Sequence, residues 1–250
     1  MSDTLRIGLV LPDVLGTYGD DGNALVLRQR ARMRGYDATI VPLRLSDAIP
    51  DDLDIYTIGG GEDVAQKLAV KHLADDGGLL RAIDAGRPVL AICAGFQVLG
   101  NSFIAGGEEV SGLGVVDVAT HPQQARSIGE LATTAQLDGL SAPLTGFENH
   151  LGATTLGPDA KPLGLVTRGF GNPGASGAGK PGATDGAVQG SVVCTYMHGP
   201  CLARNPELAD LLLARALGVE ADTLTALDLP VIDRLRQERF AAKERPKSEQ

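Results

Sequence analysis

The feature that most constrains the fold of this chain is the alternation of short apolar runs with helical patterns over its first hundred residues. Such alternation is typical of βαβ units, which build a parallel sheet covered by helices. The predicted strands of this part are Leu5–Leu11, Ala38–Leu43, Ile55–Ile58 and Val89–Ile92. The predicted helices are Ala24–Arg34, Val64–Leu73, Leu79–Ala85 and Ala94–Phe103. We therefore expect an α/β fold with a mainly parallel sheet flanked by helices.

The amino-acid pattern changes after the first hundred residues. Between residues 110 and 170 it is rich in Val and Thr, with Gly and Pro between the apolar segments. The strands predicted there are Val115–Thr120, Ile128–Thr134, Gly146–His150 and Leu163–Thr167. We expect them to extend the same sheet in an antiparallel or mixed way, without forming a new domain. A strand at Val188–Met197 and a helix at Pro206–Leu217 follow.

Two segments lie outside this pattern. The glycine-rich stretch Gly169–Gly186 cannot build a core, so it is predicted to be a surface loop, either a mobile flap or a tolerated insertion. The charged segment Ile232–Gln250 predicts a solvated terminal helix or a helix that docks against a partner. We expect one domain over residues 1–220 and a helical tail over residues 221–250.

Charge and cysteine content narrow the classes of function. A net charge of −9 argues against binding to nucleic acid or to an anionic membrane surface. The three cysteines, Cys93, Cys194 and Cys201, form neither a disulfide framework nor a zinc pattern. No signal peptide and no membrane-spanning run is visible. A reducing, cytoplasmic location fits these observations, and no metal site is expected.

Cys93 stands where the predicted strand Val89–Ile92 meets the helical pattern that begins at Ala94. A strand that turns directly into a helix lifts the intervening side chain clear of the sheet, as in a nucleophile elbow. The helix N-terminus favours a thiolate and can donate N–H groups to an oxyanion. A buried core cysteine is the alternative, but the flanking pattern favours the nucleophile.

A cysteine nucleophile needs a base and donors for the oxyanion. His198 closes the strand Val188–Met197 at the edge expected to carry Cys93, so it is the predicted base, and His150 is the second choice. His72 fits a surface helix, and His121 a loop. The run Gly59-Gly60-Gly61 follows a strand and precedes a helix, and it lacks the P-loop pattern. We expect N–H groups of Gly60 or Gly61 and of Ala94 to bind the oxyanion.

These motifs resemble the class I glutamine amidotransferases, and within them the cobyric-acid-synthase-like branch. The resemblance is carried by AICAGFQ, GGGED and GSVVCTYMHGP, and it covers residues 5–217. It implies a flavodoxin-like domain that hydrolyses L-glutamine through a Cys93 thioester. LPDVLGTYGDDGN, GFENHLG and ARSIGE are similar to the glutaminase subunits of lipid II isoglutaminyl synthase. Such subunits form a heterodimer with a Mur-ligase-like (MurT-type) synthetase that amidates the D-glutamate of lipid II in peptidoglycan synthesis.

The resemblance also implies roles for further residues. Arg126 matches an arginine that binds the glutamine carboxylate, and Gln97 is placed to bond the amino-acid end of the substrate. The run Asp20-Asp21-Gly22-Asn23 is read as a turn that caps the first helix, or as a partner contact. The wider class has His-x-Glu, whereas this chain has His198-Gly199-Pro200, so the acid that orients His198 must come from elsewhere. The resemblance points to an aspartate of the partner.

The resemblance places no cofactor in this chain and puts ATP and Mg on the partner subunit. Because the acceptor is lipid-linked, the complex is expected in the cytoplasm near the inner membrane face. Two other functions stay open from the sequence. One is a glutaminase subunit for a cobyrinate-type or other amidation, and the other is a catalytically silent regulatory module that binds a small molecule or partner.

Overall fold

The computed structural model of this protein describes residues 4–16, 18–177 and 181–241. Its first sheet has six strands in the order β11-β12-β4-β3-β1-β2. These strands are β1 (Leu5–Val10), β2 (Ala38–Leu43), β3 (Ile55–Ile58), β4 (Val89–Ile92), β11 (Ala187–Gln189) and β12 (Val192–Thr195). All neighbouring pairs are parallel except β11 with β12. The order of the parallel strands is that of a flavodoxin-like fold, as the resemblance implied.

The central strands of this sheet are apolar and fully covered. Every residue of β3, β4 and β12 is buried, which is expected of parallel strands packed on both faces. The helices that accompany them are α1 (Gly22–Met33), α2 (Asp63–Asp76), α3 (Gly78–Asp84), α4 (Ala94–Leu99), α5 (Cys201–Arg204) and α6 (Pro206–Leu217). The prediction of an α/β architecture is therefore confirmed.

The prediction that residues 110–170 extend the first sheet is wrong, because they belong to a second sheet. Its strands are β5 (Ser102–Ala105), β6 (Glu108–Ser111), β7 (Val118–Ala135), β8 (Leu144–Leu156), β9 (Gly164–Arg168) and β10 (Thr184–Asp185). The order is β10-β9-β7-β5-β6, and β8 pairs with β7. The β7–β8 hairpin is antiparallel, and its register shifts between Pro122 and Ser127. An isolated antiparallel bridge joins Phe147 of β8 to His198, three residues beyond the end of β12 in the first sheet.

Two predicted elements have different bounds for reasons of backbone geometry. The helix predicted over Ala94–Phe103 ends at Leu99, because Gly100 is extended (ψ −177°) and β5 begins at Ser102. The strand predicted over Val188–Met197 is a hairpin of β11 and β12. Its turn contains Gly190 at φ +58°, a left-handed conformation that favours glycine.

The last helix, α7 (Pro230–Ala241), lies against the body of the same chain. Arg236 donates to the carbonyl of Arg204 and, at 2.8 Å, to that of Pro143. Arg168 donates to the carbonyl of Arg239 at 2.8 Å. The predicted helical tail is thus present to Ala241, and residues 242–250 lie outside the described part. No helix in the described ranges is long and apolar enough to cross a membrane.

Candidate active site

Cys93 occupies a strained turn between β4 and α4. Its backbone has φ +52° and ψ −103°, a conformation that non-glycine residues rarely adopt and that is often found at functional sites. The Cys93 N–H donates to the carbonyl of Thr195 at 3.0 Å, and the Gly95 N–H donates to that of Gly59 at 3.1 Å. A Cβ at Gly95 would lie 2.8 Å from Cγ2 of Ile58, so only glycine fits there. The predicted strand-to-helix elbow is confirmed.

His198 lies three residues beyond the end of β12, which runs parallel to β4 and pairs with it. Both side chains therefore stand at the same sheet edge, as predicted. The backbone of His198 is fixed by two hydrogen bonds with Phe147, at 3.1 and 2.8 Å. Its Nε2 is buried and has no hydrogen-bond partner in the described part of the chain. Because Cys93 adjoins the imidazole and influences its pKa, Nε2 is the atom available to exchange a proton with the thiol.

The other ring nitrogen of His198 is occupied by an aspartate of the same chain. Nδ1 lies 3.1 Å and 3.0 Å from the two carboxylate oxygens of Asp20, whose side chain is fully buried. This contact gives Asp20 a role that the interpretation of the run Asp20–Asn23 as a capping turn or a partner contact did not include. The residue at the N-cap position of α1 is Asp21, and it makes no side-chain cap hydrogen bond. An aspartate from a partner is not required at Nδ1, since Asp20 already fills that position.

The environment of His198 favours its charged form. Burial lowers its pKa, but the hydrogen bond and charge of Asp20 and the neighbouring Cys93 outweigh burial and raise the pKa to about 10. The pKa of His198 thus lies above the usual range for histidine. The imidazole therefore carries a proton at neutral pH, beside the thiol of Cys93. A proton held there can be given to a leaving amine.

The glycine run after β3 helps to hold Asp20 and His198 in place. It also limits which backbone N–H groups can bind an oxyanion. The Gly60 N–H donates to Oδ2 of Asp20 at 3.0 Å, so in this conformation it is engaged and cannot also serve an oxyanion. A Cβ at Gly60 would lie 3.0 Å from Cε1 of His198, which explains a glycine at this position. Gly61 lines the cavity described next, and Ala94 is the first residue of α4.

A cavity opens directly over Cys93. Among the predicted site residues, Cys93, Gly61, Gln97 and Arg126 line it. Three further side chains that sequence reasoning did not single out also line it, namely Tyr18, Glu62 and Asn149. Arg126 donates to Oδ1 of Asn149 at 3.0 Å, and the Tyr18 hydroxyl donates to Glu62 at 2.8 Å. The Tyr18 ring packs at a tilt on the His198 ring, with centroids 5.1 Å apart.

Gln97 forms part of the cavity wall, but its amide is already hydrogen-bonded within the protein. It accepts from Nε2 of Gln66 and donates to the Tyr196 hydroxyl at 3.1 Å. The predicted contact with the amino-acid end of a substrate would need a rearrangement of these bonds.

The other histidines lie in different surroundings. His150, the second choice as base, lines the cavity, but its two ring nitrogens face the carbonyl of Gly152 at 2.8 Å and Glu148 at 3.2 Å. Neither nitrogen is therefore available to Cys93. His72 lies on α2 with Nε2 3.1 Å from the carbonyl of Asp47. His121 lies in β7 at the cavity rim and not in a loop, as the sequence had suggested.

Two solved glutamine amidotransferase structures share this fold. A glutamine amidotransferase crystal structure superposes with a TM-score of 0.54 at 20% sequence identity, covering 85% of this chain and 99% of that one. The acivicin-bound glutaminase domain of Trypanosoma brucei CTPS superposes with a TM-score of 0.51 at 10% identity, covering 87% and 95%. The fold is that of the class I glutamine amidotransferases.

Sequence comparison identifies the family within that class. Residues 6–206 match the CobB/CobQ-like glutamine amidotransferase domain, so the chain belongs to this family and is a glutamine amidotransferase. It is 37% identical over 215 residues to subunit GatD of the glutamine-hydrolysing lipid II isoglutaminyl synthase of Staphylococcus aureus, covering 85% of this chain and 84% of that one. The Streptococcus pneumoniae GatD is 36% identical over 217 residues, with coverages of 85% and 80%. A probable cobyric acid synthase of Methanothermobacter thermautotrophicus is 34% identical over 177 residues, but only 33% of its length is covered.

Proposed function

We propose that this protein is a glutaminase subunit that hydrolyses the side-chain amide of L-glutamine through a thioester on Cys93. The observation that carries the proposal is the alignment of three side chains, with the thiol of Cys93, the free Nε2 of His198 and the carboxylate of Asp20 following one another. The Asp20 carboxylate lies on the far side of the imidazole from Cys93. A carboxylate in that position fixes the tautomer and stabilises the imidazolium.

The chemical steps follow from these positions. The Cys93 thiolate attacks the amide carbon, and backbone N–H groups of Gly61 and Ala94 stabilise the oxyanion. His198, protonated and held by Asp20, gives its proton to the departing nitrogen, which leaves as ammonia. His198 then takes a proton from water, whose oxygen attacks the thioester and releases glutamate.

The charges lining the cavity support an amino acid as the substrate. Arg126 is held by Asn149 on one part of the wall, and Glu62 is held by Tyr18 on another. A guanidinium suits an α-carboxylate, and a carboxylate suits an α-ammonium group. We infer that the zwitterionic end of glutamine lies between Arg126 and Glu62, with its amide directed at Cys93.

We further propose that the ammonia goes to a Mur-ligase-like partner subunit that binds ATP and Mg and amidates the D-glutamate of lipid II. The support is the similarity to GatD over four fifths or more of both chains. The same proposal places the complex in the cytoplasm near the inner membrane face. Because Asp20 already fills the acid position, the isolated chain should hydrolyse glutamine without the partner.

Replacement of Cys93 tests the proposal. Cys93→Ser should lower ammonia release from glutamine by at least about 10³-fold, because the hydroxyl is a far weaker nucleophile here. The matched control is Cys194→Ala, which changes another buried cysteine outside the cavity and should retain activity. Ammonia is measured by a coupled dehydrogenase assay, for the chain alone and with its co-purified partner. If the native chain releases no ammonia in either form, the protein is a binding module and not a glutaminase.

A further inference from the structure

A buried pair of ionisable side chains lies beside the cavity and takes no part in the steps above. Glu148 and His150 are 0% and 2% exposed, and Nε2 of His150 lies 3.2 Å from Oε2 of Glu148. Both lie on β8, whose alternate residues Phe147 and Leu151 are exposed instead. A buried charged pair costs free energy unless hydrogen bonds complete it. Its presence in the wall of an active site therefore requires a reason.

The hydrogen-bond partners of the pair indicate its protonation state. Nδ1 of His150 lies 2.8 Å from the Gly152 carbonyl, which can only accept, so Nδ1 must carry a proton. The two oxygens of Glu148 accept from the N–H groups of Phe170 at 2.7 Å and Gly171 at 2.9 Å. The hydrogen bond between Nε2 of His150 and Oε2 of Glu148 needs one proton between the two atoms. With their backbone partners, the two side chains therefore form one closed hydrogen-bond network.

Other groups near the pair do not alter this arrangement. Asp185, on β10, interacts electrostatically with both Glu148 and His150, but it bonds elsewhere, accepting from the Thr195 hydroxyl at 2.5 Å. Another ionisable neighbour is Tyr196, whose ring is stacked on His150 with centroids 3.8 Å apart and planes 13° from parallel. Such stacking is a favourable contact between the two rings.

The stack on Tyr196 connects His150 with the rest of the cavity wall. The Tyr196 hydroxyl receives a hydrogen bond from Gln97 at 3.1 Å and lies 2.6 Å from the hydroxyl oxygen of Thr154. Gln97 belongs to α4, which begins directly after Cys93, and both Gln97 and His150 line the cavity. The orientation of the wall next to the nucleophile therefore depends on the position of His150.

Glu148 also connects this wall with the base of the glycine-rich segment. The N–H groups that it accepts belong to Phe170 and Gly171, at the beginning of the stretch 169–186. The base of the stretch is closed by Asn172, which donates to the carbonyl of Gly186 and accepts from its N–H, both at 2.8 Å. One carboxylate thus contacts both the loop base and the histidine in the wall.

We propose that Glu148 is a positioning residue of the glutamine pocket. Its carboxylate holds the His150 ring against Tyr196 and fastens the base of the glycine-rich segment to the same wall. Neither side chain contacts the reacting atoms, so their contribution is to the shape of the pocket and to substrate affinity. This inference rests on the proposed glutaminase function. It adds to that function a residue that holds the wall of the glutamine pocket in place.

The first test uses the unmodified protein. Imidazole ¹⁵N NMR distinguishes protonated from unprotonated ring nitrogens, and the resonances of the four histidines are assigned with His72→Gln, His121→Gln and His198→Gln. Nδ1 of His150 should carry a proton, because it faces the Gly152 carbonyl, and Nε2 should be hydrogen-bonded. A His150 without a proton on Nδ1 would overturn the proposal, because the ring would then not be held between Gly152 and Glu148. This measurement does not depend on whether any Glu148 variant folds.

The second test measures affinity. Glutamine binding is followed by calorimetry in the Cys93→Ser protein, with and without Glu148→Gln, which keeps the size of the side chain and removes its charge. The expected result is at least about tenfold weaker binding, and in the Cys93 protein a KM raised by a similar factor with kcat at saturation changed less than about threefold. Glu109→Gln, on the exposed face of β6, is the control and should change neither.

The outcomes separate the two proposals. If the Cys93→Ser protein does not bind glutamine at all, the proposed function fails. If it binds glutamine and Glu148→Gln leaves the affinity and the His150 resonances unchanged, the positioning role alone is excluded.

Discussion

At the scale of single residues, the hydrogen bond between Asp20 and His198 decides how the site titrates. Asp20→Asn keeps the size of the side chain but removes the charge that raises the pKa of His198. The pKa should therefore move down from about 10, and with it the pH at which the proton donor is lost. We expect kcat/KM at neutral pH to fall by about 10²-fold or more, and its alkaline limb to shift to lower pH.

The measurement is the pH profile of kcat/KM for ammonia release. The neighbouring Asp21 provides the control, because it makes no side-chain cap bond and lies outside the cavity lining. Asp21→Asn should reproduce the native profile. An unchanged profile in Asp20→Asn would show that another group orients His198.

The residue scale also shows what could be predicted from the sequence. Cys93 and His198 were predictable because each stands at the end of an apolar strand, and parallel strands bring their carboxyl ends to one edge. Asp20 was not, because it lies 178 residues from His198 and its Asp-Asp-Gly-Asn run fits an ordinary turn equally well. The available signal was the absence of an acid after His198, which required a carboxylate from elsewhere.

At the scale of elements, β8 has a position that its own pattern does not reveal. Alternation along β8 predicts one buried and one exposed face, but it does not say which strand pairs with it. In the structure β8 pairs with β7 in the second sheet, while Phe147 also bridges to His198 in the first. The two sheets therefore meet at the proposed catalytic histidine. The cavity walls come from both sheets, which explains why the sequence located the nucleophile more readily than the pocket.

The terminal helix α7 yields an element-scale prediction. None of its residues is buried, so polar contacts hold it in place, chiefly those of Arg236 with the carbonyls of Arg204 and Pro143. Arg236→Ala should release α7 and lower the free energy of unfolding by about 1–3 kcal/mol. Arg234 is the matched control on the same helix, since it is exposed and pairs only along the surface with Glu238.

Limited proteolysis distinguishes these two variants. Cleavage in residues 219–229, which connect α6 to α7, should accelerate in Arg236→Ala and stay at the native rate in Arg234→Ala. Equal cleavage rates in both variants would mean that α7 is held by its apolar side chains instead.

At the scale of the whole molecule, two buried groups should make stability decrease as the pH rises. Burial raises the pKa of Asp185 to about 6, and Asp20 and Cys93 raise that of His198 to about 10 despite its burial. The unfolded chain would titrate these groups near their ordinary values of 3.8 and 6.5. In each interval the folded protein binds more protons than the unfolded chain, so the free energy of unfolding falls with increasing pH.

The expected result is a melting temperature that declines from about pH 4 toward pH 9, measured by scanning calorimetry at constant ionic strength. Asp185→Asn should flatten the decline between about pH 4 and 6, because the neutral amide has no proton to lose. Asp20→Asn should weaken the decline above about pH 6.5, because His198 would then titrate closer to its ordinary value. The two variants act on separate pH intervals, so each serves as the control for the other. A melting temperature that rises from pH 5 to 7 in the native protein would contradict the assignment of a protonated Asp185 to the folded state.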